Sequence, residues 1–543
     1  MSRTTPLGSL VVVVLLAFAV PAGAATPRWR AVDRLPHTLP AVGAAHAASQ
    51  AATTDWLVGA RPTPAGARLA RRFGARSLLL PGAYAVAAPD ARAFAGALRR
   101  RGLLRFSEPD VPLVRQSAYE GDGVDQTWTR GTVVAAGLAP PAAFAPIGIV
   151  DDVVDTRVAD VAQARVVARS PAQALDEAGG REVAHGTEVA SVAAGRADGA
   201  GVIGIAPGAP LLSYGYKSLS CAEVADGILS LADAGAKVIN LSFSSLEDCH
   251  VLQLATASAF GSGAVVVAAA GNERQHHDPT IYPAAYPHVL GVGALDLGLT
   301  PAPESSTGAT LDLAAPGVAV PVAVPVGLDD DGTADGVTRN DGTSFAAPIV
   351  SGVASWLIAA RPKLTPGQYG SILRASAKDL GRPGWDARTG FGLVDLAAAL
   401  QAPVPAADRT EPDDGIDFVD GSAFTIPDPY VFKGGAARTV KASVDPGDDP
   451  VDVYRIRLAA HGRAAATLTA AAGTNADLRA YSGKAKSLAA TPLRISKRPA
   501  GRTDRVQIVN ITNKPATFYV AVTAPGAQTR PGGVPYALKL ARG

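Results

Sequence analysis

The middle of the chain alternates short, almost uninterrupted apolar runs with longer segments of helical periodicity. Strands buried on both faces of a parallel sheet have this uniformly apolar character. Two helical segments, 222–235 and 251–263, each end at a glycine, as helices commonly do. The apolar runs are IGIV (147–150), LLSY (211–214), KVINLSF (237–243) and AVVVAAA (264–270). From about residue 146 the pattern therefore predicts an α/β domain whose parallel sheet has helices on both faces.

A smaller unit precedes this domain, with its core at about residues 55–114. Its pattern is strand, helix and strand, given twice. Leu69 and Phe73 share one face of the first helix, and Phe94 and Leu98 share one face of the second. This order predicts a ferredoxin-like α+β fold. A small basic unit behind a leader is typical of a pro-domain, and an ordinary N-terminal domain is the alternative.

Beyond about residue 400 the composition changes to Pro, Asp and Gly, which is typical of a linker. Short alternating segments follow it. In DVYRIRL, Tyr454, Ile456 and Leu458 fall on one face of a strand, and Arg455 and Arg457 fall on the other. Several such segments in succession predict a small all-β sandwich after the linker.

The N-terminus has the pattern of an export signal. An apolar stretch at 10–20 is too short to cross a bilayer, and Ala22-Gly23-Ala24 matches a small-x-small cleavage site. A retained membrane anchor is the alternative. The interpretation is a secreted, extracellular protein that has no membrane association after signal cleavage. The predicted division is a signal peptide at 1–24, a pro-domain at 25–120, an α/β domain at 121–403, and a linker with a β-sandwich at 404–543.

Composition excludes some classes of partner and leaves the redox state open. Lysine plus arginine number 50 and aspartate plus glutamate number 48, so the near-neutral balance gives no reason to expect nucleic acid. Hydrophobic residues make up 48% of the chain, which is enough for sizeable cores. Cys221 and Cys249 are the only cysteines. In an exported protein they are a candidate disulfide, and two unpaired thiols are the alternative.

Four polar residues stand at predicted strand ends or helix starts and together suggest acyl transfer. Asp151 follows IGIV, where active sites of parallel sheets form, and His185 begins an apolar helical run. Ser344 follows Gly342-Thr343 at a helix start, and Asn272 follows an apolar run. A nucleophile, a base, an orienting acid and an oxyanion donor are the groups that this reaction needs. Taken singly, each residue is more commonly a cap, a turn residue or a structural side chain.

The segments around these residues resemble the signature segments of the subtilisin-like serine peptidases, or subtilases. In chain order they are IGIVDD, HGTEVA, AAAGNE and GTSFAAP. The order Asp, His, Ser is the one found in subtilisin. GIAPGAPL, LDLAAPG and GFGLVDLAAAL also resemble the family, so the likeness covers most of residues 145–400. The resemblance implies a secreted serine endopeptidase that is made as a zymogen and cuts polypeptide substrates.

The resemblance also implies roles for individual residues. Ser344 would attack the scissile carbonyl, His185 would carry the proton, Asp151 would hold the imidazole, and Asn272 would bind the oxyanion. The pro-domain would act as an intramolecular inhibitor and be removed near residues 115–125, leaving a monomer. A disulfide between Cys221 and Cys249 would brace the cleft. Substrate would pair as a strand beside residues after an Asn-x-Ser run, and the implied substrate-binding residues are Ser242, Phe243, Ser244, Ser245 and Gly271.

The sequence departs from the family pattern beside the acid and the base. Asp152 and Val153 replace the usual Thr or Ser and Gly, and Glu188 and Ser191 replace the second His and the Gly of HGTHVAG. Asp152 adds a second carboxylate next to Asp151, with little effect if its side chain points to solvent. These departures keep a second hypothesis open, a catalytically weak fold that binds peptides. A lipase or esterase is disfavoured because its serine precedes the acid and the histidine.

No cofactor is expected for this chemistry, and calcium is the one metal considered. The segment LDDDGTADG (328–336) is rich in oxygen ligands and resembles a calcium loop in composition. It lacks the spaced glutamate of an EF-hand, and acidic turns of this kind are commonly only solvated. Structural calcium is therefore a weaker expectation than the catalytic one.

Overall fold

The computed structural model describes most of the chain. The described residues are 55–110, 114–115, 127–169, 184–216, 218–329, 331, 333, 335–408, 411–422, 427–526 and 533–543. The predicted signal peptide, residues 25–54 and most of the predicted processing region lie outside them.

The N-terminal unit is a four-stranded antiparallel sheet with two helices. Its elements are β1 (Asp55–Ala60), α1 (Pro64–Arg72), β2 (Arg76–Ser77), β3 (Ala83–Ala87), α2 (Ala88–Arg99) and β4 (Leu104–Pro109). The strand order is β2-β3-β1-β4, which confirms the ferredoxin-like prediction. Helix α1 starts at Pro64, because the Thr63 hydroxyl oxygen accepts the Gly66 N–H at 3.1 Å and Pro64 needs no donor there.

The central domain is built on a seven-stranded parallel sheet, as predicted. Its elements are β5 (Val114–Arg115), α3 (Thr127–Val133), β6 (Ile147–Asp151), β7 (Arg165–Arg169), α4 (His185–Ala194), β8 (Leu211–Gly215), α5 (Cys221–Asp233), β9 (Val238–Leu241), β10 (Phe243–Ser244), α6 (His250–Gly261), β11 (Val265–Ala269), β12 (Val289–Leu295), β13 (Leu313–Pro316), β14 (Val320–Ala323), β15 (Val337–Asn340), α7 (Thr343–Ala360), α8 (Pro366–Ser376) and α9 (Leu396–Gln401). The sheet order is β13-β12-β11-β9-β6-β8-β7, with all pairs parallel.

Helices cover both faces of this sheet, which explains the uniformly apolar strands. Ile147 and Ile149 of β6 pack in the core that contains α4 and α7, whereas Val150 packs in the core that contains α5 and α6. Helix α7 is long and apolar enough to cross a membrane, but 89% of it is buried inside the fold. It is therefore the central core helix of this domain. The predicted strand 237–243 is interrupted at Ser242, so that β9 and β10 are separate strands.

The C-terminal part is a sandwich of two four-stranded antiparallel sheets, as predicted. Its elements are α10 (Ile416–Val419), β16 (Arg438–Val444), β17 (Val451–Leu458), β18 (Arg463–Ala470), β19 (Asp477–Ser482), β20 (Arg494–Ser496), β21 (Asp504–Val509), β22 (Ala516–Thr523) and β23 (Val534–Arg542). The sheets have the orders β16-β23-β18-β21 and β17-β22-β19-β20. Tyr454, Ile456 and Leu458 are buried, in agreement with the alternation along β17.

Candidate active site

The predicted acid and base meet at the carboxyl end of the sheet. Asp151 is the last residue of β6, and His185 is the first residue of α4. The His185 Nδ1–H donates to both carboxylate oxygens of Asp151, at 2.9 and 3.0 Å. Both side chains are buried. This contact leaves Nε2 as the basic atom, and within the described part of the chain Nε2 is buried without a hydrogen-bond partner.

Two further groups hold the Asp151 carboxylate in place. The Asp152 N–H donates to its Oδ1 at 2.8 Å, and the Tyr216 hydroxyl donates to the same atom at 3.3 Å. Tyr216 directly follows Gly215, which pairs with Asp151 in the parallel register of β6 and β8. Tyr216 was not among the residues predicted for the site. Its place after an apolar run was the signal, since the ends of neighbouring parallel strands come together.

The Asp152 side chain does not point to solvent, which was the possibility that the sequence left open. Its side chain is buried, and Oδ1 accepts the Gly186 N–H at the start of α4. A carboxylate is favourable there because the first N–H groups of a helix have no helical partner and carry positive partial charge. Asp152 therefore anchors the helix that carries His185.

The pKa of His185 is raised above its ordinary value by the surrounding carboxylates. Burial alone would lower it, because burial disfavours the charged imidazolium. The charge of Asp151 and its hydrogen bond outweigh burial, and the charges of Asp152 and Glu188 act in the same direction. The departures from the family pattern thus make the imidazolium easier to form.

Glu188 and Ser191 fasten α4 to the β14–β15 hairpin. The Asn340 Nδ2 donates to Glu188 Oε2 at 2.8 Å, and the Ala323 N–H donates to Ser191 Oγ at 2.9 Å. Asn340 is the last residue of β15, four positions before Ser344. These two replacements therefore connect the helix of the base to the strand that leads to the candidate nucleophile.

Ser344 lies in the first turn of the central helix. Gly342 precedes α7 with φ of 129°, a conformation that residues with a Cβ rarely adopt. The Ser344 hydroxyl donates to the Ser242 carbonyl at 2.9 Å, and the Phe345 ring centroid lies 5.7 Å from that of His185. Ser344 thus follows a sharp turn and directly precedes Phe345, whose ring packs beside that of His185. Its own hydroxyl is hydrogen-bonded to the Ser242 carbonyl.

A proline in α7 explains how the backbone at Ser344 is held. Pro348 has no N–H, so the Ser344 carbonyl loses its helical donor four residues on. The Ser242 hydroxyl replaces that donor, at 2.7 Å. Ser242 is itself held by the Asn240 Nδ2 at 2.9 Å, and the Ser351 hydroxyl donates to Asn240 Oδ1 at 2.9 Å. A buried polar chain therefore fixes the position of the candidate nucleophile.

Asn272 lies beside the same turn, just after β11. Its Oδ1 accepts the Thr343 N–H at 3.1 Å and the Thr343 hydroxyl at 3.0 Å. With the carbonyl half of the side chain engaged, the amide Nδ2 is the half that can donate to an oxyanion. Gly271 precedes it with φ of 98°, and a Cβ there would lie 2.9 Å from Ile281. The structure thus brings the predicted oxyanion donor next to the residue before Ser344.

The predicted substrate-binding segment already carries a paired strand. Phe243 and Ser244 of β10 pair antiparallel with Arg115 and Val114 of β5, respectively. Ser245 exchanges both backbone hydrogen bonds with Tyr282, at 2.8 and 2.9 Å. The strand edge at β10 is therefore able to accept an extended peptide, and the chain that follows the N-terminal unit occupies it.

The disulfide considered from the sequence is not formed. Cys221 and Cys249 are both buried, and no bond joins their sulfur atoms. Burial, and then a hydrogen bond with the Cys221 side chain, raise the pKa of the Cys249 thiol well above its ordinary value. Cys221 starts α5 and Cys249 directly precedes α6, so each thiol lies at the beginning of a helix.

Among the described residues, those grouped closely enough to hold a metal lie outside the acidic loop 328–336. In that loop, Asp329 and Asp331 accept backbone N–H groups of the loop itself. Within the described part of the chain, two groups of side chains have ligand atoms within 4.8 Å of one another. They are His288, Glu411, Asp414 and Asp449, and Asp408, Glu411 and Asp452. Neither group includes a described residue of the predicted calcium loop, and Asp330 of that loop lies outside the described residues.

The central part of the chain is similar in sequence to known proteins. The family model described as Subtilase family matches residues 145–392. Fervidolysin from Fervidobacterium pennivorans is 37% identical over 253 residues, which cover 42% of this chain and 36% of that relative. Subtilisin DY from Bacillus licheniformis is 35% identical over 225 residues, which cover 40% of this chain and 77% of that relative.

A solved structure also matches nearly the whole chain. It is the crystal structure of fervidolysin, described as a keratinolytic enzyme related to subtilisin. It has a TM-score of 0.55 at 18% identity and covers 94% of this chain and 97% of that one. This likeness concerns the fold, including the units on either side of the parallel sheet.

Proposed function

The chain belongs to the subtilase family of subtilisin-like serine peptidases, and from that premise we propose that it is an exported serine endopeptidase, made as a zymogen, that hydrolyses polypeptide substrates. The observation that carries the proposal is the buried Asp151–His185 pair beside the turn that presents Ser344. These residues stand in the chain order Asp, His, Ser. The proposed reaction needs no cofactor, because side chains and backbone supply every group.

The first step is acylation of Ser344. Its hydroxyl turns from the Ser242 carbonyl toward Nε2 of His185, which takes the proton as Oγ attacks the scissile carbonyl. Asp151 stabilises the imidazolium that forms. The Asn272 amide and the Ser344 backbone N–H donate to the oxyanion. His185 then gives its proton to the leaving amine, and water hydrolyses the acyl-enzyme by the same sequence in reverse.

Substrate recognition is assigned to the edge of β10. The pairing of Val114 and Arg115 with β10 supports an extended peptide bound antiparallel to Phe243 and Ser244. Ser242 and Ser245 would flank this strand, and Gly271 would form part of the opposite wall. Backbone hydrogen bonds of this kind bind many sequences, so side-chain pockets would decide the specificity.

The contacts of the N-terminal unit support its role as an inhibitory pro-domain. Asp110 Oδ1 accepts the Ala222 N–H of α5 at 3.2 Å. Glu108 accepts the N–H groups of His250 and Val251 of α6, at 3.4 and 3.2 Å. Carboxylates at two helix N-termini are favourable contacts, and they hold the unit so that its following chain reaches β10. In this proposal residues 1–24 direct export, 25–120 form the pro-domain, 121–403 form the peptidase domain and 404–543 form the linker and sandwich.

A covalent probe tests whether Ser344 is activated. A fluorophosphonate reacts with a serine only when a base removes its proton. We expect the processed protein to be labelled at Ser344, located by peptide mass spectrometry, and the His185→Ala protein to stay unlabelled. An unlabelled wild-type protein would instead favour the peptide-binding module.

Replacing Asn272 should slow the chemical step without weakening substrate binding. Asn272→Ala is expected to lower kcat by about 100- to 1,000-fold, because one oxyanion donor is lost. Asn272→Asp keeps the acceptor for Thr343 and the shape of the side chain but removes the donor, and should lose at least as much. Steady-state kinetics on a peptide substrate measure both. A kcat within about twofold of wild type in either variant would contradict the assigned role.

The carboxylates around His185 should set the acidic limit of activity. His185 must be neutral to accept a proton, so kcat/KM should fall as the pH drops through its raised pKa. Asp152→Asn removes a negative charge yet keeps an oxygen for the Gly186 N–H. We expect this variant, and also Glu188→Gln, to shift the acid limb to lower pH. Asp331→Asn, at an exposed position, serves as the control that leaves the limb unchanged. A limb that moves to higher pH in Asp152→Asn would refute this electrostatic account.

A further inference from the structure

A second polar site lies where the peptidase domain, the linker and the sandwich meet. A cavity of about 370 Å³ opens there, lined by His288 and Arg374 of the peptidase domain, Asp408 and Glu411 of the linker, and Asp449 just before β17. The His288 N–H donates to the Asp448 carbonyl at 2.9 Å, so the two domains are in direct contact at this point. The proposed peptidase mechanism uses none of these residues.

The carboxylates in this region are close together and mostly buried. Ligand atoms of His288, Glu411, Asp414 and Asp449 lie within 4.8 Å of one another, and so do those of Asp408, Glu411 and Asp452. Glu411 belongs to both groups. The side chains of Glu411 and Asp414 are 8% and 0% exposed, and the residues Asp449 and Asp452 are 8% and 0% exposed. The acidic groups are therefore gathered around Glu411 and shielded from water.

Each of four carboxylates has one buried oxygen without a hydrogen-bond partner in the described part of the chain. These atoms are Glu411 Oε1, Asp414 Oδ1, Asp449 Oδ1 and Asp452 Oδ1. Unpaired buried acceptors are rare in folded proteins, because each loses its hydration without replacement. Four of them in one cluster point to a ligand that supplies positive charge.

The second oxygens of three of these carboxylates are held by other side chains. Nε2 of His288 contacts Glu411 Oε2 at 3.2 Å and Asp414 Oδ2 at 3.3 Å. The hydroxyls of Tyr454 and Tyr536 both donate to Asp452 Oδ2. Metal-binding side chains are oriented by outer contacts of this kind. The arrangement thus fixes one oxygen of each of these three carboxylates and leaves the other able to accept a ligand.

Among the described residues that line this cavity, the cationic side chains are those of His288 and Arg374. His288 is the cationic partner of Glu411 and Asp414, whereas Arg374 is engaged by Asp312 at 3.2 Å and Asp448 at 2.7 Å. Like charges this close and this buried repel one another strongly unless a cation neutralises them.

We propose that a calcium ion binds at this junction, with Glu411 at the centre of a carboxylate site formed with Asp408, Asp414, Asp449 and Asp452. Calcium takes six to eight oxygen ligands in flexible geometry, which suits several carboxylates brought from separate segments. Zinc sites favour nitrogen and sulfur ligands. The imidazole of His288 is already engaged by Glu411 Oε2 and Asp414 Oδ2, so the proposed ligands are carboxylate oxygens. The ion would fasten the linker to the first strands of the sandwich, beside the peptidase domain.

Calcium titration of the full-length Ser344→Ala protein tests the site without self-digestion. After dialysis against EDTA, isothermal titration with CaCl2 should show saturable binding, and the melting temperature should rise on adding CaCl2. Asp449→Asn in the same background should bind calcium at least about tenfold more weakly, because one charged ligand is lost. Asp331→Asn, in the exposed acidic loop, should bind as the parent does. Wild-type affinity in Asp449→Asn, or no binding by the parent, would overturn the proposal.

The sign of the stability change separates a metal site from a merely structural acidic cluster. In EDTA, Asp449→Asn should melt at the same temperature as the parent or higher, since one repelling charge is removed. In CaCl2 it should melt lower, since the bound ion stabilises only the parent. A variant that melts lower under both conditions by the same amount would indicate a structural role alone. Titration with ZnCl2 identifies the metal, and tighter binding of zinc than of calcium would refute the assignment.

Discussion

Ser344→Ala is expected to abolish peptide hydrolysis and to leave the pro-domain attached. Removing the serine of a triad of this type lowers kcat by about a millionfold, because neither the attacking oxygen nor the acyl-enzyme remains. The Ser242 hydroxyl would still donate to the residue 344 carbonyl, so the fold around the turn should persist. Mass spectrometry of the secreted protein, wild type beside Ser344→Ala, measures the result. Loss of the pro-domain in wild type alone, with a new N-terminus near residues 115–125, is the expected pattern.

Ser355→Ala is the matched control for this experiment. Ser355 is a buried serine on the same helix whose hydroxyl donates to the Ala145 carbonyl at 2.7 Å, away from the triad. Its replacement should leave processing and kcat close to wild type. Loss of the pro-domain from purified Ser344→Ala would count against self-cleavage. If wild type and variant both keep it, fluorophosphonate labelling separates a zymogen cut by another protease from a peptide-binding module.

Asp151→Asn should lower kcat by about 10,000-fold while leaving the fold intact. The Asp151 carboxylate accepts the Nδ1–H of His185, which keeps Nε2 unprotonated. An asparagine amide can donate to Nδ1 instead, and the proton then sits on Nε2, where it blocks general-base catalysis. The loss should appear in kcat measured on a peptide substrate at the pH optimum of the wild type.

Asp155→Asn provides the comparison for this acid. Asp155 is buried four residues further on and pairs with Arg157 at 2.8 Å, not with His185. Its replacement should affect stability more than turnover. If Asp151→Asn retained more than about a tenth of the wild-type kcat, the Asp151–His185 contact would be structural and the proposed mechanism would be wrong.

Much of the fold followed from local patterns in the sequence. The uniformly apolar runs predicted buried parallel strands, and the alternation in DVYRIRL predicted a half-buried strand, because burial on two faces or on one selects these patterns directly. The start of α1 is set just as locally, by the Thr63 cap and by Pro64. The candidate residues at strand ends and helix starts could be identified because parallel strands bring their carboxyl ends to one edge.

Details of the active site depended on the tertiary structure. Asp152 is buried and caps α4, although its position beside Asp151 was equally compatible with solvent. The Ser242 hydroxyl donates to the carbonyl of Ser344, a residue 102 positions away, where Pro348 provides no donor. The sequence near Ser344 does not show which distant side chain supplies this donor, because that depends on the path of the chain.

The carboxylates around Glu411 show most clearly what the sequence predicted and what required the tertiary structure. From sequence alone, the run around Glu411 has the composition of a solvated linker, and 328–336 was the stronger calcium candidate. Folding leaves Asp331 exposed and brings Glu411, Asp449 and His288 together from three distant parts of the chain. The sequence by itself determined the strands, helices and candidate catalytic residues, because these depend on neighbouring positions. Only the tertiary structure decided which carboxylates lose contact with water, since burial is a property of the packed molecule.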